Sequence, residues 1–440
     1  MKRTARTTLL AALVAAALAG PLHAASATWN KGTGNWLWSD SANWSVSPPP
    51  GPGDTATLTR IDWAKPIAID MKGSGYNLKE ISGTYNGSCW VFYDSDHLTP
   101  NANPLGTNQA AHTNFTYAPY GSLVEAANAS PTLQAEDIRF GKEHAPVFLV
   151  PLQITDELWP TEHATMYFYG NVAAGRVTSP SNNGWGSTIN FKSNLTAGTV
   201  TIPDRGDAAQ ETLNVEGLAT IGTLNAIGAK ANFKDLHLTT QLRQNNDSII
   251  NVSGRFSGTA TYVQDGGTPS LNLLAGSTLA PGASIGTLGS LALTVSAVSG
   301  GTYEWEVGAS PRSSTAGVGW DLAVAGTFVL GGDIAFKIVE LGLAEEILPS
   351  DRFLVLQAGN FDITGVQNLT FEVIGDLATW NVEDAELLPD PQLGGLVLTG
   401  ISASFQTEGE IPEPATMALL ALASLGLGGY ARRRGARSAS

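Results

Sequence analysis

One pattern dominates this chain: short runs of Val, Ile, Leu, Thr, Tyr and Phe alternate with polar residues at a period of two, and Gly, Asn or Asp breaks them. "TVTIPD", "ETLNVEG", "SIINVSGRFSG", "LNLLAGSTLAPG", "TYEWEVG" and "RFLVLQAG" are examples. A period of two places alternate side chains on opposite faces, so these runs predict strands. Helical patterning is nearly absent between the two ends. Strands beginning near Leu213, Ala231, Ile249, Leu271 and Leu291 recur every 18 to 22 residues. Coils of that size suit a stacked structure in which no rung buries its apolar face alone.

The expectation is an all-β fold: a right-handed parallel β-helix or solenoid with an antiparallel β closing module, plus an N-terminal signal helix and a C-terminal transmembrane helix. An antiparallel sandwich is the alternative, because it also gives short strands punctuated by turns. From Trp320 onward the pattern favours antiparallel pairing. There "LAVAGTFVLGGDIAFKIVE" reads as two strands around a hairpin-type Gly331-Gly332 junction, placed to cover the open edge of the stack.

The ends set the compartment. Lys2, Arg3 and Arg6 precede an apolar run from Leu9 to Gly20, and Ala25-Ser26-Ala27 is a small-residue cleavage site. This predicts a secretory signal over 1–27, removed before Thr28, with cleavage after Ala24 as the fallback. The signal holds three of the 24 basic residues, and the tail holds four of them and one of the 39 acids. The mature body therefore carries 17 basic against 38 acidic residues, near −21. Such a body repels nucleic acid, which is excluded as a partner. A single cysteine, Cys89, allows no intramolecular disulfide. Beside Trp90 in an apolar stretch it reads as a buried small residue.

Five blocks of body follow from these signals. They are a Trp-rich N-terminal repeat or cap (28–84), an irregular β insertion (85–180), a β-solenoid (181–318), a C-terminal β module (319–408) and a terminal apolar segment (411–435). Trp29, Gly32, Gly34, Trp36, Trp38, Asn43, Trp44, Pro50, Gly53 and Asp54 carry a resemblance to the opening repeat of autotransporter-type surface β-solenoid proteins. "GSTLAPGASIGTLGSLALTVSAVSGGTYEWEVG" is similar to their closing repeats. These likenesses imply architecture rather than activity.

The tail carries a sharper resemblance. Pro412-Glu413-Pro414, an apolar stretch from Ala415 to Tyr430 and then Arg432-Arg433-Arg434 resemble the PEP-CTERM sorting signal read by exosortase. The two prolines keep Glu413 extended and out of any helix, where a protease can grip it. As a helix the apolar stretch would reach about 24 Å, short of a ~30 Å hydrocarbon core. The arginines would hold the C-terminus on the cytoplasmic side. The resemblance implies an exported precursor anchored transiently in the inner membrane of a Gram-negative bacterium. Cleavage near Pro414 by an exosortase-type transpeptidase or protease would release it to the cell surface or biofilm matrix. An anchor that is never cleaved is the alternative.

The sequence points to no catalytic residue. Gly282-Ala283-Ser284-Ile285-Gly286 fits G-x-S-x-G, but a strand pattern follows where a hydrolase needs a helix. Asp94, Asp96 and His97, with His112, His144 and His163, match no zinc spacing and read as exposed loop residues. No metal or other cofactor is indicated. Calcium is the one conceivable ion, from "DGGTPSLNLLAG" after Asp265 and "GGDIAF" after Gly331, although the full repeat phrase is unmet. The stretch from Tyr85 to Gly170 is rich in aromatics, prolines and histidines. Trp90, Tyr93, Tyr117, Tyr120 and Trp159 there are candidate rings for extracellular polysaccharide, unless they form the core of an irregular cap. The predicted function is a non-catalytic surface or matrix protein associated with exopolysaccharide or adhesion. The alternative is a polysaccharide lyase or glycoside hydrolase on a β-helix scaffold, using residues such as Asp204, Arg205, Asp235, Arg243 and Asp247.

Overall fold

The computed structural model describes residues 26–30, 37–59, 67–73, 76–83, 90–100, 115–116, 120–140, 146–159, 165–179, 187–203, 211–282, 287–297, 300–343, 345–375 and 378–405. Residues 1–25, Cys89 and the tail beyond 405 lie outside them. The described chain is nearly all β, with one short α-helix, Leu123–Ala129, here called α1. Among these residues no helix is long and apolar enough to cross a membrane.

Nearly every strand pairs in parallel with a strand one coil away in sequence, and the pairings fall into three columns. In column 1, Ile189 pairs with Leu213, then Ala231, Ile250, Leu271 and Val295 in succession, steps of 18 to 24 residues. Column 2 runs through Ala197, Ile221, Leu238 and Gly258. Column 3 runs through Val200, Leu224, Leu242 and Tyr262. A single strand such as Thr212–Ile227 serves all three columns, with register shifts where it turns.

Alternation decides which side chains meet inside. In column 1, Phe92, Phe148, Phe168 and Phe191 stack face to face at 4.6, 5.2 and 4.8 Å. All four are fully buried, and the same inward position continues as Val215, Phe233, Val252 and Leu273. Trp29, Trp38 and Trp44 close the first coil with edge contacts of 5.0 and 4.6 Å. The Trp44 indole donates to the Trp38 carbonyl at 2.8 Å.

Two expectations change. First, 85–180 is not an excursion from the coils. Trp90–Tyr93, Leu133–Phe140, Leu152–Trp159, Thr165–Phe168 and Val172–Thr178 all pair in parallel within the columns. Their inward residues alternate as elsewhere, for instance Leu133, Ala135, Ile138 and Phe140. Within that stretch α1 and the antiparallel pair Thr99–Pro100 with Phe115–Thr116 stand outside the columns.

Second, Gly331-Gly332 is not a hairpin. Leu322–Glu340 is one strand, and Gly331 and Gly332 pair in parallel with Gly365 and Val366. Gly332, at φ +66°, turns the chain from column 1 to column 2 without reversing it. Between the strands that follow Trp320, antiparallel pairing begins only near the end, where Gly395–Thr399 joins both Phe353–Gln357 and Glu386–Asp390, and Ala378–Asn381 joins Ser402–Phe405.

The position of signal cleavage bears on the first strand. Ser26–Trp29 pairs with Thr55–Leu58, and Ala27 is fully buried against Ala56. Cleavage before Thr28 would remove half of this strand, whereas cleavage after Ala24 spares it.

Candidate functional site

The outward face of column 1 divides into two zones. At the N-terminal end it is covered. Ala68, Val91 and Val147 point outward, and α1 packs Ala126 and Ala127 over them together with Tyr93 and Leu149. The helix forms because Ser122 caps it: the Ser122 hydroxyl accepts from the Glu125 amide at 3.2 Å and donates to the Glu125 carboxylate at 3.0 Å. Asn128, at the far end of α1, ties it down by accepting from the Asn171 amide and donating to the Ser193 hydroxyl.

Beyond α1 the outward position becomes asparagine in five successive coils. Asn214 donates to Asn190 Oδ1 at 2.9 Å, Asn232 to Asn214 at 2.7 Å, Asn251 to Asn232 at 2.8 Å and Asn272 to Asn251 at 2.9 Å. Asn190 begins the series by donating to the Met166 carbonyl at 3.1 Å. Beside this ladder, one turn further along each coil, runs the row Lys192, Glu216, Lys234 and Ser253. The two rows bound an open groove lined by Asn190, Asn214, Asn232, Glu216, Lys234 and Ser253. Lys192 pairs with Glu216 and lies 6.0 Å from the centre of the Tyr167 ring. Lys234 makes no ion pair among the described residues.

The four candidate rings among the described residues do not form a platform. Trp90 is fully buried in the main core and Tyr93 is 6 % exposed beneath α1, on the opposite face of the same strand. Both sheet faces of Trp90–Tyr93 are covered, so all four residues are buried. Burial, with Asp70 nearby, pushes the Tyr93 phenol well above its ordinary pKa. Tyr120 is half-buried against the α1 cluster, 5.8 Å from the His97 ring. Trp159 is half-buried with the Arg139 guanidinium 5.6 Å above it. Tyr117 lies outside the described residues.

The other singled-out groups have structural partners. Asp94 is fully buried rather than a loop side chain in water: it accepts from the Gly73 and Asp96 amides at 2.9 and 3.2 Å and meets His97 Nδ1 at 2.5 Å. A buried carboxylate persists only with such bonds, and these lock one turn onto the next. His112, His144 and His163 lie outside the described residues, as do Ser284, Asp204 and Arg205. Asp235 accepts from the Arg255 amide at 2.7 Å, and Arg243 pairs with Asp265. Asp247 accepts from the Thr268 amide and hydroxyl, bonds that hold its carboxyl below the usual range. Asp333 accepts from Asn368 at 2.7 Å. No group of three or more His, Cys, Asp or Glu among the described residues is placed to hold a metal.

Sequence reasoning missed a pair of neighbouring carboxylates held in unlike surroundings. Glu304 and Glu306 share the outward face of Gly301–Val307. Arg255 clamps Glu304 with two bonds of 2.7 and 2.8 Å, which hold its carboxyl below the ordinary value. Partial burial, then the Glu304 charge, push Glu306 above it, and Glu306 Oε2 is buried without a partner. The asparagine ladder was also missed, although its signal is in the sequence. "INF", "LNV", "ANF", "INV" and "LNL" place Asn at 190, 214, 232, 251 and 272, each between two inward-facing apolar residues.

Comparison with known protein families gives a match at the tail. Residues 410–434 match the family described as the PEP-CTERM protein-sorting motif, covering Pro412, Glu413, Pro414, Arg432, Arg433 and Arg434. No curated protein matches the chain. The motif supports an exported protein, held first as a membrane-anchored precursor and processed by the membrane enzyme exosortase.

Proposed function

We propose that this chain is a non-catalytic cell-surface or matrix protein whose body is a right-handed parallel β-solenoid. An apolar tail helix holds it at the inner membrane until exosortase cleaves near Pro412-Glu413-Pro414. The observation that carries this reading is the sorting motif at 410–434, following a body built of in-register parallel coils. Each coil leans only on its neighbours, so the body needs no disulfide and suits service outside the cell. Association with exopolysaccharide is the role best matched to a long polar surface that bears charge near −21 and asparagine rows.

Mass spectrometry of protein recovered from culture medium and from the cell envelope tests the sorting step. Released protein is expected to end near Pro414, and replacing Pro412, Glu413 and Pro414 by alanine should leave the chain in the membrane fraction. Released material carrying intact peptides beyond Pro414 would overturn it.

The divergent pair Glu304 and Glu306 favours one alternative, a polysaccharide-degrading enzyme, because opposed carboxyl environments are how such sites assign acid and base. Against it, Glu304 is already engaged by Arg255, with Lys337 3.9 Å away. Depolymerisation of neutral or acidic polysaccharides by the purified protein, abolished by Glu306→Gln, would establish the enzyme reading. No change in polymer length would leave the non-catalytic one.

A further inference from the structure

We propose that the groove along the asparagine ladder binds a neutral polysaccharide strand laid parallel to the stacking direction. The inference rests on the reading of the chain as an exported matrix protein and adds the site and the ligand class. Three observations carry it.

The first is unused bonding capacity at a regular interval. A carboxamide offers two N–H donors and two lone pairs. Asn214, Asn232 and Asn251 each donate one bond and accept one within the ladder, so each keeps a donor and an acceptor for the groove. Neighbouring coils are ~4.8 Å apart, so the ladder repeats its amides over about 19 Å, and Asn190, Asn214 and Asn232 line the groove itself. A chain of sugar hydroxyls, each both donor and acceptor, matches such a surface; a ligand with only acceptors leaves half of it unused.

The second is the groove wall. Lys192 and Glu216 neutralise each other, while Lys234 keeps a free ammonium among the described residues. A cation of this kind fixes a ring oxygen or hydroxyl without the excess positive charge that a polyanion requires. The body near −21 opposes an acidic polymer at longer range. Strand addition by a peptide is excluded here, because the ladder strands have parallel partners on both sides.

The third is the end of the groove. Asn190 stands next to Tyr167 in column 1, whose ring lies under Lys192 and stacks with Tyr169 at 6.4 Å. The part of this half-buried ring that α1 leaves uncovered borders the ladder and offers an apolar contact to the C–H face of a sugar ring. The α1 cluster covers column 1 beyond that point, so the strand has a defined terminus.

The test is affinity electrophoresis of the purified, exosortase-processed protein in gels containing hydroxyethylcellulose, soluble β-1,3-glucan or galactomannan, with alginate as the acidic control. Retardation by at least one neutral polymer and none by alginate is expected. A Tyr167→Ala/Lys234→Ala variant of unchanged circular dichroism should lose at least fivefold in apparent affinity, and Lys234→Ala alone decides by the same criterion should the double variant fail to fold. No retardation by any neutral polymer, an undiminished variant, or stronger retention by alginate would overturn the proposal. Correct C-terminal processing alongside any of these results would reject the groove alone; failed processing would reject the reading beneath it.

Discussion

Phe168→Ala is the sharpest probe of the coil packing. Phe168 is fully buried between Phe148 and Phe191, with ring centres 5.2 and 4.8 Å away and planes within 15° of parallel. Truncating a core phenylalanine costs roughly 3–5 kcal/mol through lost transfer energy and the cavity left behind. Here backbone pairing on both sides, to Phe148 and Phe191, prevents the neighbouring coils from closing the gap. The expected loss is therefore about 4 kcal/mol or more, in the upper half of that range. Phe168→Leu, which keeps most of the volume, should cost no more than about 1.5 kcal/mol. Urea unfolding followed by tryptophan fluorescence should show the Ala midpoint lowered by roughly 1 M for a slope near 3 kcal/mol/M. A loss below about 1 kcal/mol for Phe168→Ala, or equal losses for Ala and Leu, would refute the idea that a continuous aromatic stack holds these coils in register.

Other consequences are testable in the same preparation. N-terminal sequencing of the exported protein should give Ala25, which leaves Ser26–Trp29 whole; Thr28 would mean the first strand is dispensable. Glu306→Gln should stabilise the protein at neutral pH by a few tenths to about 1 kcal/mol, since partial exposure screens the effect. The sign follows from a folded pKa raised above the unfolded one: the stability this carboxyl gives when protonated is lost as pH rises through the folded value, so the two proteins should converge in acid. A Glu306→Gln protein less stable than the parent at pH 7 would contradict this assignment. Gly258→Ala should cost about 2 kcal/mol or more, because Gly258 sits at φ +125° and an added Cβ would lie 1.8 Å from the Leu238 carbonyl oxygen. A melting temperature unchanged by this substitution would show that the coil can shift there.

The coil spacing was legible because alternation and size repeat together. Of the strand starts expected near Leu213, Ala231, Ile249, Leu271 and Leu291, three are register partners in column 1, whereas Ile249 stands just before the partner Ile250 and Leu291 well before the partner Val295. Residues 85–180 misled because "WVFY" contains no polar residue, which suggests a surface cluster when the strand is in fact covered on both faces. What covers it is α1, whose signature, Ser122 three residues before Glu125 ahead of Ala-rich sequence, is short and sits inside a stretch otherwise patterned as strand. Gly331-Gly332 failed for a related reason: a glycine pair marks a change of direction, and sequence cannot distinguish a reversal from a corner. The groove was illegible for another reason, since its residues lie about twenty apart and become neighbours only when the coils stack.

The two ends of the body are unlike. Tryptophans seal the first coil, whereas among the described residues 360–374 of the last long strand pair only with Leu322–Glu340, and Phe361, Leu369, Phe371 and Val373 stay partly uncovered. Thermal fraying should thus begin at one extremity and travel toward lower residue numbers, like a zipper with a single slider. Deuterium uptake would register that direction as a gradient of protection running the length of the molecule.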